Sequence, residues 1–295
     1  SVLTLVESWD GKFKKTSFES VAYGKKIANQ LGEKLTVLVF GNTSSDILKE
    51  YGGDKIINIS NLDFENTSNN IIAKICSDII NEYEVNTIIA SNTNNGKTIC
   101  PLIANTLDAG LITNAITHPE SYNPLVVKCK AYSSKAYVKY ESNYKKNIIT
   151  LVPNSMGEIR KNQGIGDTIS IEKNISADTI HFKNKSRHTS NEKVSLSDAA
   201  IVVSAGRGLK SSENWEMIEE LAKLLNAATA CSKPVSDMGW RPHSEHVGQT
   251  GLAINPELYI AIGISGAIQH LAGVSSSKNI VVINTDPEAP FFKAA

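Results

Sequence analysis

The chain has 295 residues, enough for about two domains and for a core that buries roughly three quarters of the unfolded surface. Its residues are 41% hydrophobic and 20% charged, a composition that excludes disordered, collagenous and coiled-coil proteins. Thirty basic residues balance thirty acidic ones, so no overall positive field favours binding to nucleic acid or to an anionic membrane.

The sequence also indicates a compartment. No apolar run approaches the ~18 residues of a membrane-spanning helix, so we expect no integral membrane segment. The start, S-V-L-T-L-V-E, is typical of a strand and carries no basic leader. The four cysteines are far apart, which fits a reducing environment without structural zinc. We therefore expect a cytoplasmic, bacterial-type chain lacking only its initiator Met, or a mitochondrial matrix protein after processing.

The first half of the chain alternates apolar runs, which predict strands, with segments that have apolar residues at helical spacing. The predicted strands are Val2 to Val6, Leu35 to Phe40 and Thr87 to Ala90, and the predicted helices are Ser17 to Leu31, Ser68 to Tyr83 and Gly96 to Leu107. This alternation favours a Rossmann-like, doubly wound α/β domain. From Leu125 to the run I-I-T-L-V-P, alternating segments predict hairpin strands that finish the domain.

The second half follows a polar stretch without apolar periodicity, His181 to Lys193, which we interpret as a linker. The predicted domains are therefore 1–188 and 194–295. Strands are expected at Ala200 to Val203, Tyr259 to Ile264 and Val281 to Asn284, with a helix at Ser212 to Leu225. Pro234 follows Cys231-Ser232-Lys233 and is expected to end a helix. The second domain is thus predicted to be α/β with a parallel sheet.

Three glycine-rich junctions in the second half are candidate ligand-binding turns. In V-V-S-A-G-R-G-L, Gly206 and Gly208 permit close backbone approach, and Arg207 supplies a planar cation. In I-G-I-S-G-A-I-Q-H, Ser265 and Gly266 are expected at a helix start, where free N–H groups favour an anion. The alternatives are a glycine turn with a solvated arginine and a histidine that only caps the helix.

The third junction, E-H-V-G-Q-T-G, presents Gln249 and Thr250 between two glycines, although a simple turn explains it equally well. His243 and His246 stand three residues apart, but without a third ligand they give only a weak metal prediction. Neither a G-x-G-x-x-G fingerprint nor a Walker A motif occurs. Glycine, serine and arginine turns that converge at strand ends nevertheless favour a dinucleotide cofactor site.

The run from Leu258 to Asn284, L-Y-I-A-I-G-I-S-G-A-I-Q-H-L-A-G-V-S-S-S-K-N-I-V-V-I-N, resembles the signature of the electron transfer flavoprotein alpha subunit. The segments S-A-G-R-G-L-K, V-G-Q-T-G and I-N-T-D-P-E-A-P occur in the order and spacing of that family. The resemblance covers essentially all of Ile201 to Pro290, whereas the first half resembles the family mainly in its order of strands and helices.

The resemblance implies FAD held almost wholly by the second domain, in a heterodimer with a beta subunit. By resemblance, Arg207 and Lys233 approach the flavin ring, Thr250 its N5 edge and His270 its pyrimidine oxygen. The other implied FAD contacts run chiefly along the ribityl, pyrophosphate and adenosine parts: Ser232, Val247, Gly248, Gln249, Ser265, Gly266, Ala267, Ile268, Gln269 and Asn284. Cations and donors around the ring would favour its reduced, negatively charged form.

Three features depart from the family pattern. Lys233 stands where the family usually has arginine, which replaces a planar group by a point charge. Val282 stands where alanine is usual, a small packing change. The sequence ends at Ala295, before the family's last aspartate near the adenosine and its C-terminal helix, so we expect a truncated C-terminal end.

The function implied by the resemblance is electron transfer. Electrons would pass from dehydrogenases, such as the acyl-CoA dehydrogenases of fatty acid β-oxidation, to a quinone reductase or another respiratory acceptor. Two alternatives stay open within this interpretation: a bifurcating protein coupled to NADH and ferredoxin, and a flavin-free assembly subunit. A nicotinamide-binding enzyme domain is a further alternative, although no acid–base residues for a substrate stand out.

Overall fold

The computed structural model describes residues 1–41, 43–132, 136–156, 166–175 and 195–295. The chain divides into two compact units, one formed by Ser1–Cys129 with Val138–His188 and the other by Lys130–Tyr137 with Thr189–Ala295. The predicted linker, His181 to Lys193, lies outside the described residues. Each unit is therefore considered by itself.

Both units are built from strands and helices that alternate along the chain. The strands are β1 (Val2–Leu5), β2 (Ser8–Trp9), β3 (Lys12–Phe13), β4 (Leu35–Phe40), β5 (Lys55–Ile59), β6 (Thr87–Ser91), β7 (Gly110–Ala115), β8 (Ser121–Tyr122), β9 (Leu125–Ala131), β10 (Ala136–Ser142), β11 (Asn147–Leu151), β12 (Asp167–Ile171), β13 (Ile201–Ala205), β14 (Ala228–Cys231), β15 (Leu258–Ile262) and β16 (Asn279–Ile283). The α-helices are α1 (Lys15–Leu31), α2 (Asn69–Glu82), α3 (Asn94–Leu107), α4 (Glu216–Leu224), α5 (Lys233–Asp237) and α6 (Ile268–Val274).

The larger sheet has the order β10-β9-β7-β11-β6-β1-β4-β5-β12, with β8 paired to β9. Its central strands are parallel, whereas β9 runs antiparallel to β7 and β8. Side chains alternate between two cores: Leu38 and Phe40 pack on one face of the sheet, and Val37 and Val39 pack on the other. Helices cover both faces, which explains why these strands are continuous apolar runs.

The second unit contains a four-stranded sheet of order β14-β13-β15-β16, and all of its pairings are parallel. One face packs α4 through Ile218 and Ala222 against Val203 and Ala205. The other face packs the core around Tyr259, Val274 and Phe291. The prediction of an α/β fold with a parallel sheet in the second half is confirmed.

Some local predictions need correction. The I-I-T-L-V-P strand, β11, is a central strand that pairs in parallel with β6 and β7, so it is not part of a hairpin. No strand was predicted at the positions of β2, β3, β5, β7, β8, β12 and β14. Pro234 does not end a helix: it lies in the first turn of α5, directly after β14, where its missing N–H costs nothing.

Within the described residues, none of the helices is long and apolar enough to cross a membrane.

Candidate functional site

A cleft of about 540 Å³ lies at the carboxyl ends of the second sheet. Its walls are the segments that follow β13, β14, β15 and β16, together with the loop between His246 and Thr250. In the sheet, β14 pairs with one side of β13, and β15, the next strand along the chain, pairs with the other side. The order of strands thus reverses direction at β13, and the cleft lies at this switch point. Ligands in open α/β sheets bind at this position.

The structure brings most of the predicted site residues together. Of the fourteen, all but Gly266 and Ile268 line the cleft; the twelve are Arg207, Ser232, Lys233, Val247, Gly248, Gln249, Thr250, Ser265, Ala267, Gln269, His270 and Asn284. Seven further lining residues were outside that set: Gly206, Gly208, Pro234, His246, Gly263, Ile264 and Asp286. A volume of this size is typical of sites for cofactors and other small molecules.

Glycines let two of the strand-end loops approach each other closely. Gly208 donates its N–H to the carbonyl of Gly263 at 3.0 Å, and Gly206 donates to Ile262 at 2.9 Å. A Cβ on Gly206 would lie 2.4 Å from the Gly263 oxygen, and one on Gly208 would lie 2.6 Å from the Gly263 Cα. Any side chain there would push the loops after β13 and β15 apart, so glycine is required for the shape of the cleft.

Gly266 has a different role. Its φ of +83° is favoured only by glycine, and a Cβ would lie 2.5 Å from the backbone nitrogen of Phe291. That nitrogen donates to the carbonyl of Ser265 at 3.1 Å, which ties the C-terminal residues to this turn. Ser265 and Gly266 were expected at the start of a helix. The helix α6 begins at Ile268, so these residues lie in the turn before it, three and two residues ahead of its first residue.

The loop of the third junction packs against the start of α6. Gln249 donates its backbone N–H to the carbonyl of Gln269 at 2.7 Å. Gly248 has φ +151°, and Gly273 approaches its backbone so closely that a Cβ on Gly273 would lie 2.5 Å from the Gly248 nitrogen. These contacts bring Gln249, Thr250 and Gln269, which are all exposed, to one wall of the cleft.

His270 is a buried histidine whose ring bonds to a buried tyrosine. It is 7% exposed, and its Nε2 lies 2.9 Å from the hydroxyl of the fully buried Tyr259. Its Nδ1 is buried beside the backbone of Val247, and this backbone interaction raises the pKa of the ring against the stronger opposite effect of burial. Burial lowers the pKa of His270 to about 4, so the ring is neutral at pH 7.

His246 is a second buried histidine in the cleft, 6% exposed, and sequence reasoning connected it only with a weak metal prediction. Its backbone carbonyl accepts the N–H of Leu252 at 2.9 Å, and its ring packs where a Cβ on Gly251 would lie. Burial lowers its pKa, and the nearby Lys233 and His243 lower it further, while Asp237 raises it. Its place in the motif E-H-V-G-Q-T-G was the available signal.

The charged groups at the cleft are few and exposed. Arg207, which lies in a short 3-10 helix after β13, and Lys233, which begins α5, supply positive charge. Asp286 supplies a carboxylate, one oxygen of which accepts the N–H of Glu288 at 3.0 Å. The cleft can therefore hold a ligand that carries negative charge near its two cations.

Asn284 lines the cleft, but its amide mainly joins the loops after β15 and β16. Its Nδ2 donates to the carbonyl of Ile264 at 3.0 Å, and its Oδ1 accepts the N–H of Asp286 at 3.0 Å. Its position fits the prediction, whereas most of its polar capacity is used within the protein.

Arg241 supports the loop that carries His246, and sequence reasoning missed it. Its guanidinium forms two bonds of 2.8 and 2.7 Å to Glu245 and a third of 2.7 Å to Glu219 on α4, and it lies 5.2 Å from the ring centre of Trp215. Only the i,i+4 spacing in R-P-H-S-E could have indicated the first contact. The network connects the segment before the cleft to α4.

Among the described residues, three or more His, Cys, Asp or Glu side chains never cluster in a way that could hold a metal ion. The residues present instead suit a dinucleotide. The glycines let a phosphate approach the backbone beside the strand ends, and Arg207 and Lys233 line the same cleft with positive charge.

Comparison with known proteins gave two family matches. The model of the electron transfer flavoprotein FAD-binding domain matches residues 195–275, which include most of the cleft. The model of the electron transfer flavoprotein domain matches residues 2–176. Together they account for most of the chain.

Similar proteins of known identity agree with these matches. An electron transfer flavoprotein subunit alpha from Syntrophomonas wolfei is 36% identical over 98% of this chain and 91% of its own length. The Bacillus subtilis subunit alpha is 34% identical over 100% and 91%, respectively. A probable mitochondrial subunit alpha from Caenorhabditis elegans is 34% identical over 91% of this chain and 81% of its own length.

Proposed function

Because the chain belongs to the electron transfer flavoprotein alpha-subunit family, whose FAD-binding domain it contains, we propose that it carries electrons on an FAD bound in the cleft of the second unit. The observation that carries this proposal is the convergence of twelve predicted FAD contacts on one cleft. FAD supplies the reversible uptake and release of electrons, and the protein supplies binding, orientation and electrostatics.

The lining residues have distinct proposed roles. Arg207 and Lys233 lie beside the flavin ring, with Thr250 at its N5 edge and His270 at its pyrimidine oxygen. The remaining contacts hold the ribityl, pyrophosphate and adenosine parts: Ser232, Val247, Gly248, Gln249, Ser265, Gly266, Ala267, Ile268, Gln269 and Asn284. Gly266 and Ile268 lie outside the cleft lining, so they act through the shape of the turn before α6 and of its first residue.

The electrostatics of the cleft support this assignment. Two cations at the ring favour the negative charge that it gains with electrons, since charges in a partly desolvated site interact more strongly than in water. His270 adds no charge at neutral pH, because its pKa of about 4 keeps it uncharged, so it contributes a hydrogen bond alone. These side chains would set the reduction potential without acting on a substrate of their own.

The family membership also frames the partners. We propose a heterodimer with a beta subunit, electron donors among dehydrogenases such as the acyl-CoA dehydrogenases of fatty acid β-oxidation, and a quinone reductase or another respiratory acceptor. The domain bounds proposed are 1–188 and 194–295. A cytoplasmic location, or the mitochondrial matrix after processing, is supported by the four cysteines, all free and buried.

The proposal is tested by producing the chain together with its beta subunit and recording the visible absorption spectrum, followed by stepwise reduction with dithionite. We expect flavin bands that bleach on reduction and return in air. A complex that stays colourless after FAD is added would overturn the proposal.

A matched pair of variants locates the cofactor. Ser265→Trp places a large ring in the cleft, whereas Ser275→Trp places the same ring at the exposed end of α6, outside the cleft lining. Ser265→Trp should lose most of the bound FAD and Ser275→Trp should retain it, as measured by the flavin-to-protein absorbance ratio. Equal FAD content in the two variants would show that the cleft is not the site.

A further inference from the structure

Among the described residues, two histidines line the cleft, and their ring nitrogens have different surroundings. In His270, Nε2 lies 2.9 Å from the hydroxyl of Tyr259, and Nδ1 is buried beside the backbone of Val247. The side chain of His246 is also buried, at 6% exposure, but it forms no hydrogen bond within the part of the chain that the structure describes. Its nitrogens are therefore available to a group in the cleft.

The loop of the third junction determines where the ring of His246 lies. A Cβ on Gly251 would lie 2.8 Å from its Nδ1, and a Cβ on Gly248 would lie 3.4 Å from its Nε2. These two glycines, which have no side chains, make room for the ring between them. The ring thus packs inside the turn that carries Gln249 and Thr250, and it contributes to the same wall of the cleft.

The charged groups around His246 have opposite signs. Burial lowers the pKa of His246, and Lys233 and His243 lower it further, whereas the carboxylate of Asp237 raises it. His246 is therefore neutral at pH 7, and a new negative charge in the cleft would favour its protonated form. His270, whose pKa burial lowers to about 4, is the less able of the two to accept a proton.

The other titratable groups near His246 keep their charge state. Cys231, which ends β14 beside His246, has its pKa raised by burial to about 12, so it stays a neutral thiol. The carboxylate of Glu245 is bonded twice to Arg241, at 2.8 and 2.7 Å. The remaining charged side chains that line the cleft are exposed: Arg207, Lys233 and Asp286. His246 is thus the group in which a proton can be gained near neutral pH.

We propose that His246 is the proton-binding residue of the cleft and that its ring takes up a proton when an electron enters the flavin bound there. The electron comes from the electron donor and the proton from the solvent, so the net charge of the cleft stays the same. The protonated ring is a cation with two N–H donors, which stabilises negative charge in the cleft. The inference rests on the proposed function, and His246 is not among the FAD contacts proposed above.

The first measurement follows the proton directly. In the full chain with its beta subunit, labelled with ¹⁵N-histidine, the signals of His246 are assigned by their loss in His246→Gln. Titration with pH is then recorded for the deflavinated complex, for the oxidised complex and for the complex fully reduced with dithionite. We expect His246 to titrate in all three, with a proton affinity about tenfold or more higher in the reduced complex, because an opposite charge nearby favours the charged ring.

The second measurement is the midpoint potential of the flavin as a function of pH. Because a proton accompanies the electron, the potential should fall as the pH rises, and one proton per electron corresponds to about 59 mV per pH unit. His246→Gln keeps a polar side chain and His246→Phe keeps a ring between the two glycines, but neither binds a proton. Both variants should show a smaller dependence on pH than the wild type.

His243→Gln is the matched control. His243 is exposed three residues earlier, its Nδ1 lies 2.9 Å from the hydroxyl of Ser236, and it does not line the cleft. This variant should keep the wild-type slope, with a small displacement along the pH axis because one neighbour that lowers the pKa of His246 is gone.

The outcomes separate this inference from the proposed function. If FAD binds but the proton affinity of His246 is the same in the oxidised and reduced complexes, the inference is wrong and the proposed function stands. Equal slopes in the wild type, His246→Gln and His246→Phe would have the same meaning. A His246 that titrates in a complex unable to take up FAD would refute the proposed function and, with it, the coupling of this proton to an electron.

Discussion

The two sheets of this chain both have parallel central strands, but they differ at the edge where the carboxyl ends of those strands lie. Side chains bond one another at this edge of the larger sheet, whereas the same edge of the second sheet holds a cleft. In the larger sheet, the switch point lies between β1 and β6, and Glu7, which follows β1, fills it. Its carboxylate accepts the hydroxyl of Thr93 and, at 2.9 Å, the amide of Asn95. In the second sheet, the corresponding edge holds an open cleft of about 540 Å³.

Other polar side chains at the first edge also bond one another, and the edge is called sealed here in this sense. Asn92 donates to Asn114 at 2.6 Å and accepts from Thr150 at 3.1 Å, so polar groups at three strand ends satisfy one another. Glu19, only 2% exposed, accepts the N–H groups of Asn154 and Met156 at 2.8 Å each. The carboxylate of Glu7, through its bonds to Thr93 and Asn95, thus lies at the first turn of α3, where an anionic ligand would bind.

The second edge carries glycines in place of these carboxylates, and its donors face a cleft. The difference shows that layer architecture alone does not make a binding site, since the residues after the strands decide whether the edge is sealed or open. Three substitutions test this comparison, and they follow in order of expected effect.

The largest effect is expected where the open edge depends on a glycine. Gly266→Ala combines a left-handed backbone, at φ +83°, with a Cβ placed 2.5 Å from the Phe291 nitrogen. Backbone strain of ~1–2 kcal/mol plus the displacement of Phe291 should destabilise the second unit by about 3 kcal/mol or more. FAD binding should weaken more than about tenfold, since ~1.4 kcal/mol corresponds to each factor of ten.

The control for Gly266→Ala is Gly239→Ala, in the same unit. Gly239 has φ +72°, but a Cβ there meets nothing within 4 Å, so only the strain of ~1–2 kcal/mol is expected. Hydrogen exchange measured by mass spectrometry reports the stability of each unit separately. Equal effects of the two variants would show that the contact with Phe291 does not shape the cleft.

The second prediction concerns the sealed edge. Glu19→Ala leaves the N–H groups of Asn154 and Met156 without their acceptor, which should lower the free energy of unfolding of the first unit by about 2–3 kcal/mol. FAD affinity should stay at the wild-type value, because the cleft lies in the second unit. The measurements are urea unfolding with hydrogen exchange and titration with FAD.

Glu33→Ala serves as its control, since this carboxylate is 38% exposed and forms a 3.6 Å ion pair with the N-terminal amine. Such pairs contribute little, so a loss below about 1 kcal/mol is expected. A weaker FAD affinity in Glu19→Ala would mean that the sealed edge is coupled to the cofactor site and would contradict the comparison.

The sequence predicted much of this architecture because the buried strands and amphipathic helices carry strong periodic signals. Leu35 to Phe40 was predicted to the residue, and the helix predicted from Ser68 to Tyr83 is α2, Asn69–Glu82. The short strand Ala228–Cys231 was not predicted, because its four residues, A-T-A-C, are small and show no alternation of apolar and polar side chains. The parallel pairing of Asn147–Leu151 with two distant strands also left no local signal.

The candidate site was predicted where residues lie in glycine-rich motifs at strand ends. His246 and Asp286 were missed as cleft residues because their position depends on loop packing. Arg241 was missed because its partner Glu219 lies on another element. The contacts at the sealed first edge could not be predicted either. Glu7 lies close to Thr93 and Asn95 only because β1 pairs with β6. Contacts between strand ends need the topology, which local patterns do not provide.

The smallest effect is expected from Lys233, the exposed cation that follows β14 at the open edge. Lys233→Arg keeps the charge and replaces a point charge by a planar guanidinium, which stacks on flat rings and offers more donors. The midpoint potential of the flavin, measured by redox titration, should rise by roughly 20–40 mV for a one-electron step, equivalent to less than about 1 kcal/mol. Lys210→Arg is the matched control, because Lys210 is exposed in the same unit but does not line the cleft. If both variants shift the potential equally, the side chain at 233 acts only through the overall charge of the unit, and the open edge needs no group of specific shape after β14.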